Sequence, residues 1–263
     1  MKICNLASGS KGNSTYIEGE RCAILIDCGL TLFEMESKLK ALNADMNKIV
    51  AVLVTHEHSD HICSLARFAK KYGVNVYVHS EVYINKRSKF EGIDAKHIKL
   101  FYDQDFFIEE FTISPVALSH DSVHCVGFSI YAQGVKYSQV TDLGRITLEI
   151  LEHIEGSSLV LIESNHDEQK LINGPYTPFL KSRILSPSGH LSNVACRDAV
   201  RWLAMHGTHN FILGHLSEEN NTEELAFSTV ASGLKDFYGE KFSIEVASQH
   251  HLSRVYDLGV YDE

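Results

Sequence analysis

The sequence predicts an α/β fold, and three observations predict it. The first third reads as short apolar strands with helical patterns set between them, and helix and strand patterns alternate again after residue 142. Between these parts the chain is β-rich. Side chains able to ligate metal or move protons fall directly after strands in both halves, where a rigid sheet can present them. Length alone permits one large domain or two small ones. The placement of the motifs in both halves favours a single domain over residues 1–263 with a composite site.

Three strands open the chain: KICNLA, STYIEG and CAILIDCG, the last ending at Asp27. A helix near 33–42 (FEMESKLKAL) follows, then the strand KIVAVLVT and a helix over about 62–72 (ICSLARFAKKY). VNVYVH (74–79) reads as a further strand. FTISPVALSH (111–120), VGFSIYAQ (126–133) and VKYSQVTD (135–142) make the β-rich middle. A helix near 146–155 precedes the strand SLVLIES (158–164). The helix 192–206 carries Val194, Ala195, Ala199, Trp202 and Leu203 at helical spacing. NFILGH (210–215) is a strand, NNTEE (220–224) leads into a capped helix covering roughly 222–238, and strands near 243–247 and 254–258 follow. No internal repeat, low-complexity segment or Pro-rich linker interrupts this pattern.

Composition narrows the function. Of 263 residues, 44% are hydrophobic, enough to bury a substantial core. A formal net charge of −10 argues against a general nucleic-acid coat, because phosphate binding runs on Lys and Arg. A local cationic site remains compatible, and bound metal ions would supply one. The N-terminal MKICNLASGSKGN has no apolar core of signal-peptide length, and no run approaches the roughly 18 apolar residues of a membrane span. The six cysteines are scattered, form no CxxC pair and read as reduced thiols of a cytoplasmic protein with no membrane partner. Cys63, two residues beyond His61, has a metal-proximal role as its alternative.

The chemistry concentrates at 54–61, VTHEHSDH, which places three histidines and two acids behind the apolar run IVAVLV (49–54). His56 and His58 are two apart in a tight loop, and Asp60 and His61 begin the next helix. Imidazoles and a carboxylate at this spacing ligate borderline divalent metals. Glu57, between ligands, points away. One loop cannot complete two metal sites, so further donors are sought at strand ends. His120 ends FTISPVALSH, Asp142 ends VKYSQVTD and His215 ends NFILGH.

These residues resemble the metallo-β-lactamase superfamily, whose motifs occur in order as Asp27 in LIDCG, THEHSDH, His120 in LSHD, Asp142 in TDLG and His215 in LGHLS. The resemblance implies a four-layer αββα sandwich and two divalent metal ions, Zn²⁺, Mn²⁺ or Fe²⁺. It implies one metal on His56, His58 and His120 and a second on Asp60, His61 and His215. Asp142 bridges them, and Asp27 stands behind the ligands to orient one of them or the loop. A class B β-lactamase places a cysteine where this chain has Asp142, so the ligand set is more similar to the phosphodiesterase branch. The segment GHLSNVACRDAVRWLAMHGTHNFILGHLS (189–217) resembles tRNase Z. That implies His190 as general acid, with Glu163 in IESNHD holding it and Asn165 and His166 behind or beside the cleft. Asp60 is counted with His190 and Glu163 among the catalytic groups.

LASGSKGNST, LIDCGL, THEHSDH, SHD, ESNHD, RILSPSGHLSN and HLSEENN together are most similar to the YycJ (WalJ) group of small bacterial hydrolases, with TDLG standing where many relatives have TDTG. The resemblance implies phosphodiester hydrolysis of the DNA exonuclease kind, with nucleic acid as the partner. The implied mechanism places two metals roughly 3.5–4 Å apart around a bridging hydroxide that attacks phosphorus in line, while His190 protonates the leaving oxygen. The alternative is a cyclic phosphodiesterase or another small-molecule (thio)ester hydrolase of the same fold. Only 48 residues separate Asp142 from His190, which leaves no room for a large cap domain and predicts an open cleft. SGSKGNS (8–14), rich in small residues, is able to wrap close to the metal loop, and it reads as an ordinary turn in preference to a phosphate cradle. Lys181, Arg183, Arg197 and Arg201 read as a solvated face, with nucleic-acid contact as the alternative. His79, His97, His153, His206, His209, His250 and His251 read as surface or packing residues, and His124 is unassigned.

Overall fold

Unbroken apolar runs such as AILI and LVLIE mark strands covered on both faces, and both are buried along their whole length. A computed structural model describes residues 1–259. In chain order it begins β1 (Lys2–Ala7), β2 (Ser14–Glu18), β3 (Ala23–Ile26), α1 (Leu32–Ala41), β4 (Ile49–Leu53), α2 (Ser59–Ile62), α3 (Leu65–Tyr72), β5 (Asn75–His79) and α4 (Ser80–Asn85). Then come β6 (Ile98–Phe101), β7 (Phe106–Ile108), β8 (Phe111–Leu118), β9 (Cys125–Ala132), β10 (Val135–Val140), α5 (Leu148–Ile154), β11 (Leu159–Glu163), α6 (Glu168–Asn173) and α7 (Pro178–Ile184). The last elements are α8 (Asn193–Met205), β12 (Asn210–Gly214), α9 (Glu223–Ser232), β13 (Ser243–Val246) and β14 (Tyr256–Asp257).

Among the described residues, fourteen strands form two seven-stranded sheets, ordered β14-β1-β2-β3-β4-β5-β6 and β13-β12-β11-β10-β9-β8-β7. Each sheet is half antiparallel and half parallel: β3 to β6 run parallel in the first, β10 to β13 in the second. The period-2 alternation of a strand distributes its side chains between two cores. Ile24 and Ile26 of β3, with Leu159 and Leu161 of β11, enter a cluster shared by the two sheets. Ala23 and Leu25 instead join a cluster with Met35 and Leu39 of α1 and Phe68 of α3. On the far side Val160 and Ile162 pack with Ile150 of α5, Val200 of α8 and Val230 of α9. Three buried layers between four layers of elements are the expected αββα sandwich.

The helices begin where capping chemistry allows. Thr31 and Glu34 form a reciprocal capping box at α1. Thr177 accepts from the Leu180 amide with Pro178 in the first turn of α7, and Ser192 caps α8. Two expectations need correction. The helix expected over 62–72 is broken into α2 and α3, because the Ser64 amide and hydroxyl both bond the Cys28 carbonyl and pin the chain between them. The helix expected to reach 238 stops at Ser232. The sequence pattern does not mark α4, α6, α7, β6 or β7, elements of three to seven residues that are too short to show periodicity.

The parallel strands of each sheet deliver their C-terminal ends to one edge, the usual address for a site in such sheets. There Gly29 has no room for a side chain: a Cβ would lie 1.6 Å from the Asp60 carbonyl oxygen. Gly29→Ala is therefore expected to cost at least about 1–3 kcal/mol through overpacking, read as a lowered urea midpoint. An unchanged midpoint would show that the loops are not packed this closely.

Candidate active site

Three of the strand-end residues singled out in the sequence leave their sheets in the left-handed region: Asp27 (φ 62°), Asp142 (φ 64°) and His215 (φ 55°). Asp and His tolerate this conformation better than most residues, yet each instance costs about 1–3 kcal/mol. Such a residue ends the pleat abruptly, so the chain turns out of the sheet and its polar side chain stays at the edge. All three are buried.

Two buried carboxylates organise the imidazoles. Asp27 accepts from the Thr55 amide and hydroxyl, both at 2.9 Å, and from His61 Nδ1 at 2.7 Å. Glu163 Oε1 accepts from His190 Nδ1 at 2.8 Å and from His215 Nδ1 at 2.7 Å, while its Oε2 accepts the Leu143 and Leu191 amides. With Nδ1 occupied, each ring turns Nε2 toward the space between the sheets' edges. His61 Nε2 lies 3.3 Å from Asp142 Oδ2 and 3.5 Å from Asp60 Oδ2. His215 Nε2 lies 3.4 Å from Asp142 Oδ1 and 3.8 Å from Asp60 Oδ2. His120 Nδ1 faces the Gly189 carbonyl at 3.3 Å, and its Nε2 is 3.3 Å from His58 Nδ1.

The donor atoms gather in two groups. Those of His56, His58 and His120 lie within 4.8 Å of one another, as do those of Asp60, His61 and His215; Asp142 groups with His56 and His61 and again with His190 and His215. His56 Nε2, Asp142 Oδ2 and His215 Nε2 are buried without a hydrogen-bond partner among the described residues. Unpaired buried polar atoms are costly, and divalent metal is the kind of group these donors fit. Charge makes the same point. For His215 burial opposes the charged form, but Asp142, Asp60 and Glu163 outweigh it and push its pKa up to about 10. Burial alone would raise Glu163, yet His190 and His215 hold it at about 2. Burial and the neighbouring His61 charge keep His56 well below the usual histidine value. The cluster without cations thus retains protons that bound cations would displace.

A family model for the beta-lactamase superfamily domain matches residues 23–216. The chain belongs to the metallo-β-lactamase superfamily. It is 37% identical over 244 residues to the exodeoxyribonuclease WalJ of Streptococcus pneumoniae serotype 2, covering 89% of this chain and 88% of that one. It is 32% identical over 244 residues to the exodeoxyribonuclease YycJ of Bacillus anthracis, covering 91% and 92%. The metallo-beta-lactamase fold protein YhfI from Bacillus subtilis superposes with a TM-score of 0.73 at 15% identity, over 96% of this chain and 99% of that one, a likeness of fold alone. As a member of this metal-dependent hydrolase superfamily the protein is an enzyme.

Within this superfamily scaffold, most of the sequence-predicted residues converge and some do not. Asn165 reaches the cleft and donates to the His215 carbonyl at 2.8 Å. His166 is buried within the fields of Glu163 and His190, with neither ring nitrogen bonded among the described residues. Glu57 turns away as expected and accepts the Val123 amide at 3.0 Å, which ties the metal loop to the loop of His120. Cys63 is exposed; the thiol beside the site is Cys125, 3.8 Å from His56 Nδ1. The expected open cleft is walled by the segment from α6 to α7. A space of about 160 Å³ is lined by Tyr176, Leu180 and Arg183 as well as by Asp121, Asn165 and His190. The 8–14 segment is a turn, but one wrapped on the metal loop. Ser8 Oγ accepts the His215 amide at 2.8 Å, and Asn13 Nδ2 lies 3.3 Å from Asp60 Oδ2 and 3.1 Å from His61 Nε2. The sequence singles out this segment, and the fold shows that Ser8 and Asn13 are its residues in contact with the site. Arg197 and Arg201 pair with Asp198 and Asp236, and Arg183 with Asp121. His124 stacks on buried His79 with ring centroids 3.8 Å apart.

Asp27→Asn keeps a side chain suited to φ 62° but removes the charge that fixes His61. Metal affinity measured by competition with a chelator is expected to fall roughly 10–100-fold. Affinity equal to the parent's would mean that Asp27 does not set the ring.

Proposed function

We propose that the protein is a dinuclear-metal phosphodiester hydrolase acting as a DNA exonuclease in the cytoplasm, with residues 1–263 working as one domain. The observation that carries this reading is the placement of His190. Its ring is held through Nδ1 by buried Glu163, its side chain is 20% exposed, and it borders both the donor groups and the cleft. With Nδ1 taken by Glu163 and the ring at the cleft, that position suits an acid facing a leaving group. The likeness to the WalJ and YycJ exodeoxyribonucleases over nearly the whole chain supports DNA as substrate, and the six free thiols support a reducing compartment.

In this reading His56, His58 and His120 would hold one cation and Asp60, His61 and His215 the other, and Asp142 would be a ligand shared by the two groups. The all-His and carboxylate donor set suits Zn²⁺, Mn²⁺ or Fe²⁺. When bound, such a pair supplies a nucleophile from water and neutralises charge on a phosphate. The chain's own residues do the rest. Asp27 and Glu163 fix the tautomers of His61 and His215 so that Nε2 faces inward. His190 donates its Nε2 proton to the departing oxygen. Burial works against a charged His190, but Glu163 outweighs it and raises the pKa.

Bis-p-nitrophenyl phosphate, end-labelled DNA and an acyl thioester assayed in parallel decide the substrate class. Turnover of DNA and the phosphodiester is expected, abolished by EDTA; turnover of the thioester alone would overturn the reading. His190→Ala is expected to lower kcat on DNA about 10²–10⁴-fold with metal content unchanged by elemental analysis. Loss of metal from that variant would make His190 a ligand.

A further inference from the structure

The acidic chain carries one cationic segment. Residues 67–99 hold eight Lys and Arg against three acids, a net of +5, whereas the remainder holds sixteen against thirty-one, a net of −15. All eight cations are exposed. Lys71 pairs with Glu36 and Lys96 with Asp94, but Arg67, Lys70, Lys86, Arg87, Lys89 and Lys99 form no ion pair among the described residues. The arginines around the His190 segment differ: Arg183, Arg197 and Arg201 are each held by an aspartate.

The fold gathers the cations of α3 and of residues 86–96 on the helical side of the first sheet, with Lys99 of β6 on the opposite face beside Tyr77 and Phe101, and joins that surface to the metal loop. α3 starts four residues beyond His61, and Arg67 on its exposed side reaches back to the Cys63 carbonyl. β5 lies parallel to β4, with the Val54 amide bonded to the Tyr77 carbonyl at 2.9 Å, so α4 begins beside the loop that carries His56 and His58. Phe90 enters the same buried cluster as Phe68, which draws the 86–89 segment onto α3. Ala66 lies 3.9 Å from where a Gly92 Cβ would stand, which seats the next turn there as well. Between them is a hollow of about 470 Å³ edged by Lys70, Lys96 and His97, with Asp94 at its side.

We propose that this face, built from α3, the end of α4 and residues 86–97, docks the nucleic-acid backbone beyond the scissile phosphodiester. The inference rests on the phosphodiesterase reading and adds the surface over which the substrate runs. A polyanion approaching the remainder of the molecule meets net negative charge. Over this face it meets unpaired cations that lead to the metal loop, so the field both attracts and orients it. The unpaired state of the cations fits a surface whose partner arrives from outside.

The test reverses charge at Lys70, Lys86 and Lys89 together (K70E/K86E/K89E), with the three Lys→Gln changes as a milder version should the first fail to fold. Hydrolysis of bis-p-nitrophenyl phosphate, too small to span the face, is expected to stay within about twofold. KM for a long labelled DNA is expected to rise at least about tenfold. The slope of log affinity against log salt should fall by about 2–3, near 0.9 for each phosphate that is no longer neutralised. Anisotropy of a labelled duplex on metal-loaded His190→Ala protein, with and without the charge changes, reads docking apart from cleavage. Unchanged docking and unchanged KM in the charge variants would overturn the proposal while leaving the nuclease reading intact. Docking abolished in those variants, in an enzyme that cuts no DNA, would uphold the surface and overturn the nuclease reading.

Discussion

Everything at the candidate site depends on two carboxylates removed entirely from water. Asp27 and Glu163 have no exposed surface, and each accepts a hydrogen bond from the Nδ1 of a histidine. A histidine free to flip would present either nitrogen, or a proton, to the centre. One fixed through Nδ1 presents Nε2 in a set direction. Glu163 does this for two rings at once and anchors two backbone amides besides, so its loss would disturb His190 and His215 together.

The two carboxylates belong to different sheets, and that explains why the fold is needed. The first sheet supplies Asp27 and the loop from Thr55 to His61; the second supplies Glu163, Asp142, His215 and His120. Neither half holds a complete set. The shared core, where Ile24 and Ile26 meet Leu159 and Leu161, fixes the spacing between the halves. The left-handed residues at three strand ends and the unpaired buried nitrogens are unfavourable taken singly. They persist because the surrounding sheets over-determine them, the pattern expected where structure serves binding before stability.

Much of this is legible in the sequence, for identifiable reasons. Strands buried on both faces announce themselves as unbroken apolar runs, and THEHSDH is local enough to be read as a ligand loop without tertiary knowledge. His120, Asp142 and His215 can be found because each follows closely on the end of a strand. What escapes depends on contacts between distant segments. Ser8 and Asn13 look like turn residues until the fold lays them on His215 and Asp60. The sequence pairs Glu163 with His190 alone, since nothing local shows that His215 returns to the same oxygen. α6 and α7 are a turn or two long and carry no period to detect, so the wall of the cleft leaves no mark in the sequence. His166, singled out from its neighbours in IESNHD, is buried close to Glu163 and His190 with both ring nitrogens unbonded among the described residues.

The proposed centre brings seven side chains to two cations, two of its imidazoles set by the buried carboxylates. Anomalous diffraction from crystals of the metal-loaded protein, collected on either side of the metal edge, tests it most directly. The account predicts two peaks, one enclosed by His56, His58 and His120 and the other by Asp60, His61 and His215, with Asp142 touching both. A single peak, or peaks lying away from these groups, would contradict it.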